Sequence, residues 1–445
     1  MNSLLLTLIL GACLMVALFG KRVSIIHPAV LFISMFFLNA FMVLIRVPSV
    51  PDLRINTVLI VSLACITFLF FSSVNIKYRS KNTKLNRLVN YISYSRLLVI
   101  LFVIIDIVVI LLYIRAQRNI VNRLMGNAGS LMQTMSKYSS LVKFSTEDSG
   151  MPTFIKLATE IVYASGFVFG FIQINNYVAG GKKELDKILI INVSLSFLLS
   201  LLSGSRSGAI RLLAALMTML FLLQRRVSKK RTMQSIRRVA IVSLFIILSF
   251  KAVGNLLGRG NERTLMDTIF MYMGGPIKNF DIFLNESFQR GDIIGKMTFA
   301  NQYRNIANLT GNSSYLYQLA VLPYGIVNGI DLGNVYTALT SLIYDFGHAT
   351  AIVMIIVMAI ISRWTYSKAE RQIGTKKVLW IFTYAFLTYF ILMSGFAEKF
   401  FGIILSMNLY RHLIYFVVIY KGLTLKTNLS CMTRPKVARV KNIVI

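Results

Sequence analysis

The sequence predicts an all-α protein, a polytopic bundle of transmembrane helices. Two features of its composition indicate this class, since 56% of the 445 residues are hydrophobic and only 14% are charged. A third is the recurrence of apolar runs close to the roughly 20 residues that a helix needs to cross a bilayer. Because no long polar linker or low-complexity segment interrupts these runs, residues 1–445 are expected to form one integral-membrane domain.

About eleven spans of suitable length can be placed along the chain. They are expected near residues 3–19, 23–45, 57–75, 96–114, 153–178, 188–202, 208–224, 239–256, 335–361, 378–395 and 399–420. The connection between the eighth and ninth spans, residues 257–334, is far longer than typical loops and is therefore expected to be functional. Within it, residues 264–273 have an amphipathic helical pattern, and Gly-Gly-Pro at 274–276 indicates a break.

The net charge of +32 is interpreted as an effect of membrane topology. Basic residues gather in every second connection, from 21–22 and 77–87 to a basic tail at 421–445, as they do on the cytoplasmic side of a membrane. The expected topology therefore places the N-terminus outside and the C-terminus inside. In a soluble protein such a charge would suggest nucleic acid, but topology accounts for it and no nucleic-acid partner is expected.

Several arginines lie on the predicted outer face, where this topology predicts few basic residues. They are Arg115, Arg118, Arg123, Arg206, Arg211, Arg259, Arg263 and Arg304. A guanidinium is always charged, its fork of donors suits phosphate, and the glycines and serines around Arg206 let backbone groups approach an anion. A diphosphate on a membrane lipid would fit. The alternatives are that Arg206 and the arginines at 115–123 reach lipid headgroups, and that Arg211 pairs with a carboxylate.

Candidate acid–base and metal-binding groups are few. Only 16 residues are acidic, and among those on the outer side we favour Asp281, and then Asp345, as a general base. A carboxylate near arginines is more often an ion-pair partner. The histidines His27, His348 and His412 lie in or beside spans, and none falls in the long connection. No spacing of cysteines, histidines or glycines indicates a metal, a nucleotide or another cofactor.

Three stretches resemble the oligosaccharide repeat-unit polymerases, also called O-antigen or Wzy-type polymerases. Residues 202–208, Leu-Ser-Gly-Ser-Arg-Ser-Gly, resemble the family's polar hinge between two spans. Residues 272–281, with an aromatic residue, Gly-Pro and Asn-Phe-Asp, resemble its long-loop signature, and residues 334–347 resemble the entry into the following span. The resemblance covers roughly residues 190–365. It is weakest at residues 348–350, His-Ala-Thr, where the family more often continues with small residues and glycine.

This resemblance implies a GT-C-like, metal-independent glycosyltransferase at the outer, periplasmic face of a bacterial inner membrane. Such enzymes join oligosaccharide units carried on undecaprenyl diphosphate into capsule polysaccharide or the O-antigen of lipopolysaccharide, and they release undecaprenyl diphosphate. No cofactor is implied. The expected partners are the lipid-linked donor and acceptor, membrane lipids and a chain-length regulator protein.

Within that expectation, Asp281 or Asp345 acts as the base and Arg206 acts on the diphosphate. The residues expected to bind substrate are Arg211, Arg259, Arg263, Arg304, Tyr272, Asn279 and Tyr336. Two rival functions remain. An O-antigen ligase has a similar layout but would be expected to use a histidine in the long outer loop. A lipid-linked oligosaccharide flippase, which is a transporter, would not need an outer loop of that length.

Overall fold

The structure is a computed structural model, and it describes residues 1–19, 24–73, 89–144, 150–181, 184–203, 206–224, 264–286, 294–312, 322–371 and 375–430. It is 80% helical, and within the described residues the strands form one two-stranded hairpin, which confirms the all-α class. Eight of the helices in the described ranges are long and apolar enough to cross a membrane. The polytopic helical architecture that the composition predicts is therefore present.

The helices before the long connection are α1 (Asn2–Phe19), α2 (Pro28–Arg46), α3 (Ile55–Ser73), α4 (Arg96–Met125), α5 (Leu131–Phe144), α6 (Thr153–Gly180), α7 (Lys187–Leu202) and α8 (Arg206–Gln224). Within the connection lie α9 (Leu265–Met273), α10 (Gly275–Phe283), α11 (Ala300–Thr310) and the antiparallel strands β1 (Gly325–Val327) and β2 (Ile330–Gly333). After it come α12 (Ala338–Arg371), α13 (Thr375–Leu392), a 3-10 turn (Met393–Gly395), α14 (Phe400–Ile404) and α15 (Met407–Ser430).

Several helices begin where the sequence supplies a cap. His27 precedes α2 and accepts a hydrogen bond from the Ala29 amide at 3.2 Å, while Pro28 fills the first helical position, where a missing N–H is harmless. Asp186 and Thr264 accept amide hydrogen bonds at the starts of α7 and α9. The predicted amphipathic helix in the long connection is thus confirmed, and it ends at the predicted Gly-Gly-Pro break.

The helices correct several predicted boundaries. α4 extends beyond the predicted end at 114 to Met125, because its last turns pack into a second apolar core with α5 and α6. α12 is interrupted at Gly347, whose φ of 78° and ψ of 173° are not helical. The span predicted at 399–420 is divided into the short α14 and the longer α15. α15 also continues into the predicted tail. The span predicted at 239–256 lies outside the described residues.

Glycines in α6 bring three helices close together. A Cβ on Gly166 would lie 2.5 Å from Ser196 of α7, and a Cβ on Gly170 would lie 2.2 Å from Leu216 of α8. The absence of side chains at these two positions lets α7 and α8 pack directly on α6, as small residues do at helix interfaces in membranes. This packing sets where the hinge between α7 and α8 lies.

The described part of the long connection covers one end of the bundle, which we call the loop end. Arg46 at the end of α2 pairs with Asp267 of α9 at 2.6 Å. Asp281 of α10 accepts hydrogen bonds from the Arg54 amide at 2.8 Å and the Thr57 hydroxyl at 2.6 Å, next to the start of α3. These contacts agree with the alternation of spans, which requires the connection between α2 and α3 to share a side with the long connection.

Candidate functional site

Arg211 is the central cation of the candidate site. It lies on α8, which packs between α6 and α13, and its guanidinium carbon is 5.1 Å from the centre of the Phe386 ring. Its buried Nε has no hydrogen-bond partner in the part of the chain that the structure describes. Among the described residues Arg211 also forms no ion pair. A guanidinium deep in a helical bundle, held by an aromatic face and without an ion pair among the described residues, is suited to an incoming anion.

Lys399 provides a second cation next to Arg211. It ends the short connection at 396–399, between the 3-10 turn and α14. Burial and the positive charge of Arg211 lower the pKa of Lys399, and the neighbouring Glu398 opposes that effect. Like Arg211, Lys399 forms no ion pair with any described residue. Like charges inside a protein repel each other, and an anion bound between them would relieve that repulsion.

Glu398 places a carboxyl group beside these cations. Burial raises the pKa of Glu398 to about 7, and the charge of Asp345 adds to this effect, although backbone N–H groups at 400–402 oppose it. One of those amides, from Phe401, donates to Oε1 at 2.8 Å and so caps α14. A carboxyl group with a pKa near neutrality is well matched to proton transfer at ordinary pH.

Asp345 lies near enough to Glu398 to influence it, at the point where α12 is interrupted. Its carboxylate accepts hydrogen bonds from the amides of Met297 and Thr298, at 3.1 and 2.6 Å, so the segment before α11 is held against it. Gly347 breaks the helix two residues further on. Helices that are interrupted inside a membrane bundle are tolerated where they are buried in protein or line a polar cavity.

The polar hinge between α7 and α8 contributes hydroxyl groups. Ser207 of α8 lies close to Tyr389 of α13. A Cβ on Gly208 would lie 3.2 Å from the phenol oxygen of Tyr163 and 3.3 Å from the Cβ of Ser200. A glycine is therefore favoured at this position, because it allows the start of α8 to approach α6 and α7 closely. The small residues of the hinge thus place polar groups around Arg211.

We call Arg211, Asp345, Tyr389, Glu398 and Lys399 the loop-end cluster. Arg211, Glu398 and Lys399 keep part of their surface exposed although protein surrounds them, which is typical of side chains that line a cleft. Two unpaired cations can hold an anion with closely spaced charges. The adjacent carboxyl group can accept a proton from a molecule bound beside that anion.

Two of the predicted site residues belong to this cluster, Arg211 through its effect on Lys399 and Asp345 through its effect on Glu398. Of the other predicted arginines, Arg206 begins α8, Arg304 lies in α11, and Arg259 and Arg263 lie outside the described residues. The roles predicted for these four residues therefore stay predictions.

The three residues predicted to bind sugars have different surroundings. The Tyr272 ring stacks on Phe396, with ring centres 5.9 Å apart, which places it beside the connection that carries the second cation. The side chains of Asn279 and Tyr336 form hydrogen bonds within the long connection. The Asn279 side-chain amide donates to the Val335 carbonyl at 2.9 Å, and the Tyr336 hydroxyl donates to a backbone carbonyl at 3.0 Å.

Asp281, the carboxylate favoured as a base, is occupied by other contacts. It is only 1% exposed, and one of its oxygens lies 2.8 Å from the ammonium group of Lys278. Its other oxygen accepts the hydrogen bonds from Arg54 and Thr57 described above. The ion pair was visible in the sequence, because residues three apart on a helix lie on the same face.

Sequence reasoning missed Glu398 and Lys399. The predicted spans 378–395 and 399–420 leave Glu398 in a minimal turn and make Lys399 the first residue of the second span. Two adjacent charges on the predicted outer side, at a junction of apolar runs, were the only local signal. Their proximity to Arg211 depends on the packing of α8 against α13, which no local pattern reports.

No family model, curated protein or solved structure matches this chain. The chemistry of the loop-end cluster is therefore the basis for a functional conclusion.

Proposed function

We propose that this protein polymerises oligosaccharide units carried on undecaprenyl diphosphate, at the outer face of a bacterial cytoplasmic membrane. The observation that carries the proposal is the pair of cations Arg211 and Lys399, which form no ion pair with a described residue. They lie beside Glu398, whose pKa burial raises to about 7. A lipid diphosphate supplies the missing anion, and a sugar hydroxyl supplies a proton for the carboxylate.

The reaction moves a growing glycan from its own lipid to a newly delivered lipid-linked unit. A hydroxyl of the acceptor sugar attacks the anomeric carbon of the donor, and a glycosidic C–O bond forms. The bond between that carbon and the diphosphate oxygen breaks, and the electron pair leaves with the diphosphate. Arg211 and Lys399 stabilise the charge that develops there, because preorganised cations are most effective where charge appears in the transition state.

Glu398 is the proposed base that takes the hydroxyl proton. Asp281 is 1% exposed and pairs with Lys278, and Asp345 is 7% exposed, whereas Glu398 is less buried than either residue. Glu398 keeps exposed surface and lies next to the cations that hold the leaving group. A base must lie within hydrogen-bond reach of the proton it removes, so the proposal requires the acceptor hydroxyl to bind beside Glu398.

The cover over the loop end supports a bulky glycan substrate. Helices α9 to α11 and the hairpin belong to the long connection, which covers the loop end. Tyr272 of α9 stacks on Phe396 there. Aromatic rings of this kind present an apolar face with a polar hydroxyl at one end, which suits the faces and hydroxyl groups of sugars. A chain-length regulator is a further proposed partner on this side of the membrane.

The direct test uses purified full-length protein in lipid nanodiscs with undecaprenyl-diphosphate-linked oligosaccharide from a producing strain. The wild-type protein is expected to yield a ladder of glycans of increasing length without nucleotide sugar. Arg211→Ala is expected to yield none, and Arg54→Ala is the matched control, because Arg54 is exposed at the same end of the bundle.

Three results would contradict the proposal. They are a ladder from Arg211→Ala equal to that of the wild type, transfer of single units to lipid A core, and transbilayer movement of the unit with no new glycosidic bond. The second result would identify a ligase, and the third would identify a flippase.

A further inference from the structure

Helix α4 carries one exposed face that is apolar along most of its length. Large apolar side chains on this face recur at intervals of four and three residues, and they are 47–75% exposed. They are Leu97, Leu101, Ile104, Val108 and Leu111. Since α4 is long and apolar enough to cross a membrane, this face lies against the acyl chains of lipids.

The same face continues with two arginines. Arg115 and Arg118 follow Leu111 at the same intervals, and both are exposed. Neither forms an ion pair with a described residue. The preceding stretch, 97–114, contains no basic residue. It is about 27 Å long at 1.5 Å per residue, close to the roughly 30 Å of hydrocarbon in a bilayer. The two guanidinium groups therefore lie at the level of the lipid headgroups.

Contacts on other sides of α4 hold this face toward the membrane. The Gln117 side-chain amide donates to the Leu202 carbonyl at 3.0 Å, directly before the hinge between α7 and α8. The Tyr113 ring packs edge-on against Tyr138 of α5, with ring centres 6.4 Å apart. Because Gln117 and both tyrosines are buried, α4 is fixed about its own axis, and the two arginines stay on the lipid side.

The charge around the two arginines is positive. Residues 107–144 include five basic residues and no acidic one. Topology would explain this charge on the cytoplasmic side, but the loop end is the side on which few basic residues are expected. A positive surface at headgroup depth attracts anionic lipids, and each basic residue near the surface strengthens that attraction.

We propose that Leu111, Arg115 and Arg118, which we call the α4 lipid face, bind an anionic phospholipid such as phosphatidylglycerol in the leaflet at the loop end. The two guanidinium groups hold its phosphate, and an acyl chain lies along the apolar face. A soluble anion would leave that apolar face uncovered, and a zwitterionic lipid brings its own cation to the arginines. The inference depends on this face and not on the function proposed above.

The test identifies the lipid on this face by using brominated lipids, which quench tryptophan fluorescence on contact. Leu111→Trp supplies the reporter in the full-length protein after both native tryptophans, Trp364 and Trp380, are replaced by phenylalanine. In vesicles of phosphatidylcholine and phosphatidylglycerol, the phosphatidylglycerol is expected to bind there at least about fivefold more strongly, the effect of one basic residue near the surface.

Two double variants in this background separate charge from shape. Arg115→Ala combined with Arg118→Ala should reduce the relative binding constant of the two lipids to about one, because the attraction of each arginine is lost. Arg115→Lys combined with Arg118→Lys keeps both charges and should keep most of the preference.

Leu8→Trp is the matched control for the reporter. Leu8 is 61% exposed on α1, compared with 62% for Leu111 on α4, and α1 has no charged side chain. The two lipids should bind equally at this position. If removing the native tryptophans prevents folding, native mass spectrometry counts the phosphatidylglycerol molecules bound to the wild type and to the double alanine variant, which should keep fewer.

A relative binding constant at Leu111→Trp equal to that at Leu8→Trp would overturn the inference. So would a preference that survives in the double alanine variant, or equal numbers of bound phosphatidylglycerol molecules in the mass spectra of the variant and the wild type.

Discussion

The two ends of the bundle each contain a deeply placed arginine, and the protein uses them differently. At the end opposite the loop end, Nη1 of Arg363 lies 3.2 Å from Nε2 of His27, and its guanidinium carbon lies 5.7 Å from the centre of the Tyr366 ring. The hydroxyl of Tyr384 donates a hydrogen bond to the Ile26 carbonyl beside them. Arg363 therefore ties the start of α2 to α12, and Tyr384 ties it to α13.

Arg211 at the loop end has the same kind of aromatic neighbour but no hydrogen bond or ion pair to a described residue. Its positive charge lowers the pKa of a second cation, Lys399. The contrast teaches that a charge inside a membrane protein is not by itself a site. What distinguishes a site is whether the protein has already supplied the partner that the charge needs.

The largest expected effect comes from Glu398→Gln, which removes the proposed base but keeps the shape of the side chain. Its polymerisation rate should fall by about 10²–10⁴-fold, the usual contribution of a general base. In the wild type the rate should fall with decreasing pH below about 7, because the carboxyl group is then protonated. The measurement is the initial rate between pH 5 and 9. A variant with the wild-type rate and pH profile would remove Glu398 from the mechanism.

Next in size is the effect of Arg211→Ala, which should lower the rate by about 10²–10³-fold, as expected for losing one preorganised group at a developing charge. Its unfolding midpoint should stay at the wild-type value or rise, because an unpaired buried cation is removed. Arg363→Ala is the matched comparison and should keep the rate per folded molecule. Loss of activity in both variants to the same degree would break the contrast between the two ends.

Arg363→Ala should instead reduce the stability of the fold. Removing one partner from a buried hydrogen bond typically costs about 1–3 kcal/mol, and here it leaves the His27 ring nitrogen without its contact. The measurement is thermal or denaturant unfolding in detergent, with Arg54→Ala as an exposed control. An unchanged stability would mean that the end opposite the loop end does not depend on this contact.

The smallest expected effect is a pH dependence of stability. The pKa of Glu398 is raised to about 7 in the folded protein, above its value of about 4.3 in an unfolded chain. The folded state therefore binds more protons than the unfolded state between these two values, so stability should fall as pH rises through this range and then level off. Glu398→Gln should remove this slope from the unfolding midpoint, and a slope that survives would have to come from other groups.

Several features could be predicted from local sequence because they depend on contiguous residues. The apolar runs predicted the spans, the amphipathic pattern at 264–273 predicted α9, and Gly-Gly-Pro predicted its end. Arg211 and Asp345 could also be singled out, because a charged residue in or near an apolar run is unusual wherever it is found. Hydropathy and capping act over a few neighbouring residues, and the sequence therefore determined the helical class of the protein and the positions of most helices.

The tertiary structure alone decided which charges meet. Asp281 looked available in the sequence, yet it is paired with Lys278 and with the start of α3. Glu398 looked like part of a short turn and Lys399 like the start of a span, yet helix packing brings them to Arg211. Whether a charge is paired depends on residues distant in the chain and on how closely glycines such as Gly208 let helices approach. For this reason the sequence could determine where the helices are, while only their packing decided which polar groups are free to act.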